Sequence, residues 1–165
     1  MDPSHHLRIA SFNGLGINVS QGDIHSLCDN SDIVLLQEHW LAKQELAQLK
    51  LLHPAFDAVG TSAMDFSRQV YNGRPFGGTG ILFRKNLGKV TVVEDTDERL
   101  CAILLSTANT ELLVINVYLP NEIHDNLDLY ADYMGKINAL VSGSATPYCV
   151  VGGDFNTAPG RPFFK

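Results

Sequence analysis

No apolar run in this sequence exceeds the six residues Leu100 to Leu105, whereas a helix that spans a membrane needs about 20. A transmembrane helix is therefore not expected. Cysteine is scarce: Cys28, Cys101 and Cys149 are odd in number and show no CxxC spacing. That argues against a disulfide framework and a zinc knuckle, and points to a reducing compartment. Charge is also sparse, at 18% of residues with a formal net charge of −6. The segment Met1 to His6 is polar and lacks the apolar core of a secretory signal. Low charge beside 45% hydrophobic residues excludes disorder as the main state, because enough apolar surface exists to offset chain entropy. An acidic balance disfavours a general nucleic-acid coat protein. It does not exclude an enzyme acting on nucleic acid, since local charge matters more than the sum.

What is present reads as one domain of 165 residues, with a polar tail over 1–6 and a folded unit over 7–165. Strands and helices alternate. The pattern predicts strands over Leu7 to Asn13, Ile33 to Leu36, Phe56 to Thr61, Thr79 to Arg84, Lys89 to Val93, Leu100 to Ser106, Leu112 to Tyr118 and Tyr148 to Val151. The pair flanking Ala108-Asn109-Thr110 reads as an antiparallel hairpin. Helices are predicted over Ser20 to Asp29 and Ala42 to Leu52. A third, capped by Asp125, has an apolar face of Leu127, Tyr130, Met134, Ile137 and Val141. Ser62 to Gly78 is polar and contains Asn72-Gly73, Pro75 and Gly77-Gly78, so it reads as a loop.

Polar residues recur where apolar strands end: Asn13, Gln37 and Glu38, Tyr118 with Asn121 shortly after, then Asp154 and Asn156. In αβ proteins ligands gather outside the carboxyl ends of strands. Two carboxylates with amides and a phenol suit a hard cation such as Mg²⁺, which needs one or two protein carboxylates and takes water and phosphate for the rest. The chemistry that follows is phosphate-ester hydrolysis. Each residue taken alone has an ordinary reading too: a polar residue closing a buried strand, a turn at Gly-Gly-Asp-Phe-Asn, or a packed tyrosine. The pattern as a whole favours chemistry.

Four segments carry a resemblance in the right order: Ser11-Phe12-Asn13-Gly14, Leu36-Gln37-Glu38, Asn116-Val117-Tyr118-Leu119-Pro120-Asn121 and Gly152-Gly153-Asp154-Phe155-Asn156-Thr157. Together they resemble the endonuclease/exonuclease/phosphatase superfamily, from Leu7 to about Pro159. Within it, Gln37-Glu38-His39-Trp40-Leu41 and Gly73-Arg74-Pro75-Phe76-Gly77-Gly78-Thr79-Gly80-Ile81 look like the endonuclease domain of LINE-type (non-LTR) retrotransposons, enzymes that nick DNA to prime reverse transcription. The resemblance implies an α/β (α+β) fold: a four-layer αββα sandwich of two facing β-sheets, the second incomplete in this chain. It implies Glu38 as metal ligand with Asn13 beside it, for Mg²⁺ with Mn²⁺ as the alternative ion. Asp154 is implied to position or activate water, Asn156 to donate to the phosphoryl oxygens, and Tyr118 and Asn121 to hold the scissile phosphate. DNA as substrate, a fused or formerly fused reverse transcriptase and nuclear residence are further expectations from the same source.

The match fails at the end. The family pattern continues to a Ser-Asp-His segment, and here none of the six His residues lies beyond Tyr148. The sequence reads as the front part of the domain, cut inside its second half: a fragment, a decayed copy or a mispredicted frame. Impaired catalysis and an open strand edge at Tyr148 to Val151 are expected. Two other readings stay open: a different phosphoesterase of the superfamily (RNA exonuclease, phosphoinositide phosphatase, sphingomyelinase), and an inactive remnant that binds DNA weakly. For DNA contact, Phe66 to Val93 holds Arg68, Arg74, Arg84, Lys85 and Lys89 and no acidic residue. Arg74 and Arg68 are the candidates there, with a solvated charged turn favoured for Lys85 and Lys89.

Overall fold

The computed structural model describes residues 6–67, 74–94, 96–120 and 126–157. Its elements are β1 (Ile9–Asn13), α1 (Ile17–Asn30), β2 (Ile33–Gln37), a 3₁₀ helix (Lys43–Leu51), β3 (Phe56–Thr61), β4 (Thr79–Arg84), β5 (Lys89–Val92), β6 (Leu100–Ser106), β7 (Glu111–Tyr118), α2 (Leu127–Gly143) and β8 (Cys149–Asp154). One sheet has the order β1-β2-β4-β3 and the other β5-β6-β7-β8. Each contains one parallel pair, β1 with β2 and β7 with β8; the remaining neighbours are antiparallel.

Strand alternation builds the layers, because successive side chains point to opposite faces. In β2 and β4, Ile33, Leu35, Ile81 and Phe83 face the other sheet and meet Cys101, Ile103, Leu105 and Val114. The alternate residues Val34, Leu36 and Leu82 face outward onto α1 and the 3₁₀ helix, through Ile17, Ile24, Cys28 and Leu49. On the second sheet, Leu100, Ala102, Leu113, Ile115 and Val117 face α2 through Tyr130, Tyr133 and Ile137. The result is a mixed α/β four-layer sandwich, helix on sheet on sheet on helix, whose second sheet has four strands and ends at β8. No helix among the described residues is long and apolar enough to cross a membrane.

Four expectations are corrected. The segment after Ala42 is 3₁₀ rather than α-helical. Leu46, Leu49 and Leu52 all pack on the same core cluster, and a spacing of three keeps them on one line only when side chains at i and i+3 eclipse. The buried face of α2 is Tyr130, Tyr133, Ile137 and Leu140, whereas Leu127, Met134 and Val141 are exposed; the 3-4-3 stripe lies one position off for the latter two. α1 begins at Ile17, which is itself buried. Gly152 to Asp154 continue β8 instead of forming a loop. Asp125, the expected cap, lies outside the described residues, and Asn126 at the cap position makes no side-chain cap bond.

Candidate active site

Both parallel pairs end on the same side of the sandwich. Pairing of β1 with β2 sets Asn13 opposite Gln37, one residue before Glu38. Pairing of β7 with β8 sets Tyr118 opposite Asp154. Asn13 then joins the two sheets: its Nδ2 donates to Glu38 Oε1 at 2.8 Å and to Asp154 Oδ2 at 3.0 Å. Residues 141 positions apart thus meet through one amide.

Glu38 is held in a defined orientation. Trp40 Nε1 donates to its other oxygen, Oε2, at 3.2 Å. Glu38 and Trp40 both adopt left-handed backbone, at φ 53° and 60°, a conformation that costs about 1–3 kcal/mol per residue and persists where its surroundings enforce it. Here Gly16 N–H donates to Glu38 O, Glu38 N–H to Gly78 O and Trp40 N–H to Gly77 O. Gly78, itself at φ 91°, leaves room for His39: a Cβ there would lie 2.3 Å from the imidazole. His39 is buried, accepts the Leu41 amide on Nδ1 and contacts Thr61 O through Nε2. The acceptor on Nδ1 places the ring proton on Nε2, and burial pushes the pKa of His39 down. It is a neutral brace behind the site rather than a group within it.

The second sheet supplies the other half. Gly153 is required where it stands, because at φ 133° a Cβ would meet Val117 O at 2.1 Å. That close approach lets Leu119 N–H bond Asp154 O at 2.9 Å. Asn156, at φ 49°, donates its backbone N–H to Asp154 Oδ1 and its Nδ2 to Leu119 O at 2.7 Å. Its side chain thereby ties the Asp154 segment to the end of β7, with a second hydrogen remaining on the same nitrogen. Tyr118 is half-buried beside Glu38. Burial first, then the hydrogen bond and charge of Glu38, push its pKa up to about 12. It is a neutral phenol, and a donor, at any physiological pH.

Asn13, Glu38, Tyr118 and Asp154 are therefore brought together, with Asn156 adjoining. Arg74 stands next to them: its guanidinium lies 4.8 Å from the ring centre of Trp40. Asn121 and Arg68 lie outside the described residues. Other members of the basic stretch serve structure elsewhere. Arg84 donates to the carbonyls of Cys28, Asp29 and Ser31 and pairs with Asp32, and Lys85 bonds Pro54 O. Sequence reasoning missed three contributors, each quoted within a motif without a role: Trp40, His39 and Asn116. Asn116 is fully buried between the sheets, where its Nδ2 donates to Leu36 O and Gly80 O and its Oδ1 accepts from Gln37. An asparagine inside an otherwise apolar strand was the available signal.

The donor set fits a hard divalent cation. A neutral amide bridges two half-buried carboxylates, which leaves two negative charges at close quarters that a dication balances. Asn13, Trp40 and the Tyr118 hydroxyl take three of the four lone-pair sites of the Glu38 carboxylate, which leaves one for an ion. Asn13 directs Nδ2 at the carboxylates while its Oδ1 accepts the Leu15 amide at 3.3 Å. In this arrangement it orients Glu38.

Residues 10–165 match the model of the Endonuclease/Exonuclease/phosphatase family. The chain belongs to that family. Solved structures agree in fold. The 3′-5′ exonuclease NExo from Neisseria meningitidis is 23% identical, with a TM-score of 0.66 over 93% of this chain and 59% of that one. The endonuclease domain of TRAS1, a telomere-specific non-LTR retrotransposon, is 13% identical, with a TM-score of 0.64 over 93% and 62%. An AP endonuclease from Archaeoglobus fulgidus is 17% identical, with a TM-score of 0.66 over 93% and 59%. The chain spans about three fifths of the length of these structures. No curated protein matches the sequence.

Proposed function

We propose that this family member is a Mg²⁺-dependent phosphodiester hydrolase, a DNA-nicking endonuclease domain of retrotransposon origin. The observation that carries the reading is the Glu38–Asn13–Asp154 bridge, which assembles two carboxylates from two sheets beside a neutral phenol. The bridge supports the hydrolase. The Gln37-Glu38-His39-Trp40-Leu41 and Gly-rich segments, with the likeness in fold to the TRAS1 domain, support the retrotransposon origin.

Bound at Glu38, a divalent cation would supply charge neutralisation at the phosphoryl oxygens and an acidified water. The residues of the chain do the rest. Glu38 holds the ion, and Asn13 and Trp40 fix the carboxylate so that little reorganisation remains when charge develops. Asp154 orients the attacking water and takes its proton. The Tyr118 hydroxyl, bonded to Glu38 in the free site, would turn to a phosphate oxygen once an ion holds that carboxylate, and Asn156 offers the second hydrogen of its amide. Arg74, at the rim over Trp40, meets the DNA backbone. His39 is turned away, with both nitrogens engaged, so it does not serve as the general acid–base imidazole.

The test is a substrate panel. Supercoiled DNA, single-stranded RNA, a phosphoinositide and sphingomyelin are each incubated with the protein in Mg²⁺ and again with chelator. Chelator-sensitive nicking of DNA, with slower or no turnover of the others, supports the proposal. Turnover of another substrate in preference to DNA would move the reading to a different phosphoesterase. DNA cleavage unaffected by chelator would remove the metal from it.

A further inference from the structure

A second group of metal-binding side chains lies at the opposite end of the first sheet. His25 and Asp29 are one turn apart on α1, and His53 arrives from the connection between the 3₁₀ helix and β3. Since α1 runs back from the Glu38 end, Asp29 sits near the start of β2. The five-residue strand rises about 3.3 Å per residue, which separates the two groups by roughly 16 Å. Neither set of side chains serves the other.

We propose that His25, Asp29 and His53 form a binding site for a borderline divalent cation of the Zn²⁺ type, a clip between α1 and the segment entering β3. Three observations carry this. First, His25 Nδ1 lies 3.4 Å from Asp29 Oδ2, and His53 Nε2 lies 3.2 Å from Asp29 Oδ1. Ligand atoms around a tetrahedral zinc, each at about 2.0–2.1 Å, stand about 3.3 Å apart. The three groups offer ligand atoms within 4.8 Å of one another, so a modest closure of the two imidazoles completes three corners and leaves the fourth for water. Second, two imidazoles and a carboxylate suit zinc and its neighbours rather than Mg²⁺, which prefers oxygen. Third, the most constrained ligand is already placed. His53 is buried, packs edge-on against Phe56 at 5.1 Å, and lies 4.5 Å from the His25 ring. The carbonyl end of α1 adds a negative potential that favours a cation.

Without metal, the Ala55 amide donates to His53 Nδ1 at 3.2 Å, so Nε2 carries the ring proton and gives it to Asp29. On metal uptake the ion takes the place of that proton at Nε2. The proton passes to Nδ1, and the amide of Ala55, an exposed residue, gives up its bond to that nitrogen. This exchange lowers affinity without blocking the site. Arg84, which bonds Asp29 through the backbone oxygen, leaves the carboxylate available.

The test is a Zn²⁺ titration by calorimetry, with thermal unfolding of the same samples. Excess Mg²⁺ is present to occupy the Glu38 end, and His5→Ala and His6→Ala remove the tail imidazoles. One Zn²⁺ per chain is expected, with a rise in Tm. Affinity should fall by more than about tenfold in His25→Ala and in Asp29→Asn, while Glu38→Gln leaves it unchanged. Both primary variants alter exposed side chains, and circular dichroism confirms their fold. Absence of binding by the parent, an isotherm unaffected by His25→Ala and Asp29→Asn, or loss of binding in Glu38→Gln instead would each overturn the site.

Discussion

Gln37 Nε2 donates to Asn116 Oδ1 at 2.6 Å across the space between the two sheets. Asn116 passes the connection on to Leu36 O and Gly80 O, so one side chain on β7 fixes β2 and β4 directly beneath Glu38. Buried and fully paired, this network is favourable; half-paired, it is costly. Asn116→Leu strands two carbonyls and the Gln37 amide, and it should lower stability by about 3 kcal/mol, read from the urea midpoint. Because the register beneath Glu38 also loosens, cleavage should fall more than the residual folded fraction explains.

Tyr118 gives a sharper test of the site itself. Its pKa of about 12 makes it a hydrogen-bond donor to phosphate across the working range. Tyr118→Phe should keep the fold and slow cleavage by about 10²-fold, the usual loss when one donor to a developing oxyanion is removed. Below pH 10 the pH–rate curves of parent and variant should run parallel. A variant that cleaves as fast as the parent would assign Tyr118 to packing.

Alkaline stability follows from burial. Desolvation pushes Cys28 up to about 11 and Cys101 up to about 12, from an ordinary value of 9.0, and Tyr118 rises from 10.0. In each case the unfolded chain loses its proton at lower pH than the folded one. Between the two values the unfolded state therefore binds fewer protons, and stability falls as pH rises. Stability against urea should be flat from pH 7 to about 8.5 and decline from about pH 9 toward 12. Cys28→Ala should make that decline shallower between 9 and 11, at the cost of some packing.

Arg74 tests the DNA face. Its guanidinium stacks over Trp40, whose indole holds Glu38. Arg74→Ala should weaken DNA binding uniformly across sequences and reduce the salt slope by about 1. Arg74→Lys should restore the salt slope but not the stacking. An unchanged slope in Arg74→Ala would place the phosphate contacts elsewhere.

The strands were legible as continuous apolar runs along Ile33 to Leu36, Leu100 to Leu105 and Leu112 to Ile115, the four-layer arrangement followed from the family resemblance, and the strand-end motifs supplied Asn13, Glu38, Tyr118 and Asp154. What escaped depends on contacts distant in sequence. The bond between Asn116 and Gln37 spans 79 positions, and His53 meets Asp29 from 24 positions away, so no local period announces either. The 3₁₀ helix was hidden by strong α-formers, although the spacing of Leu46, Leu49 and Leu52 held the clue. The face of α2 was misread because Met134 and Val141 sit one position beyond Tyr133 and Leu140, and hydrophobicity alone does not choose between adjacent stripes.

The central claim is that Glu38 and Asp154, bridged by Asn13, form a working hydrolytic site. The direct measurement is the rate of conversion of supercoiled plasmid to the nicked form in Mg²⁺, for the parent, Glu38→Ala and Asp154→Ala. Circular dichroism accompanies each sample. The account predicts nicking by the parent, abolished by chelator and by either substitution in proteins that remain folded. Equal nicking by the parent and both variants, or none by a folded parent, would contradict it.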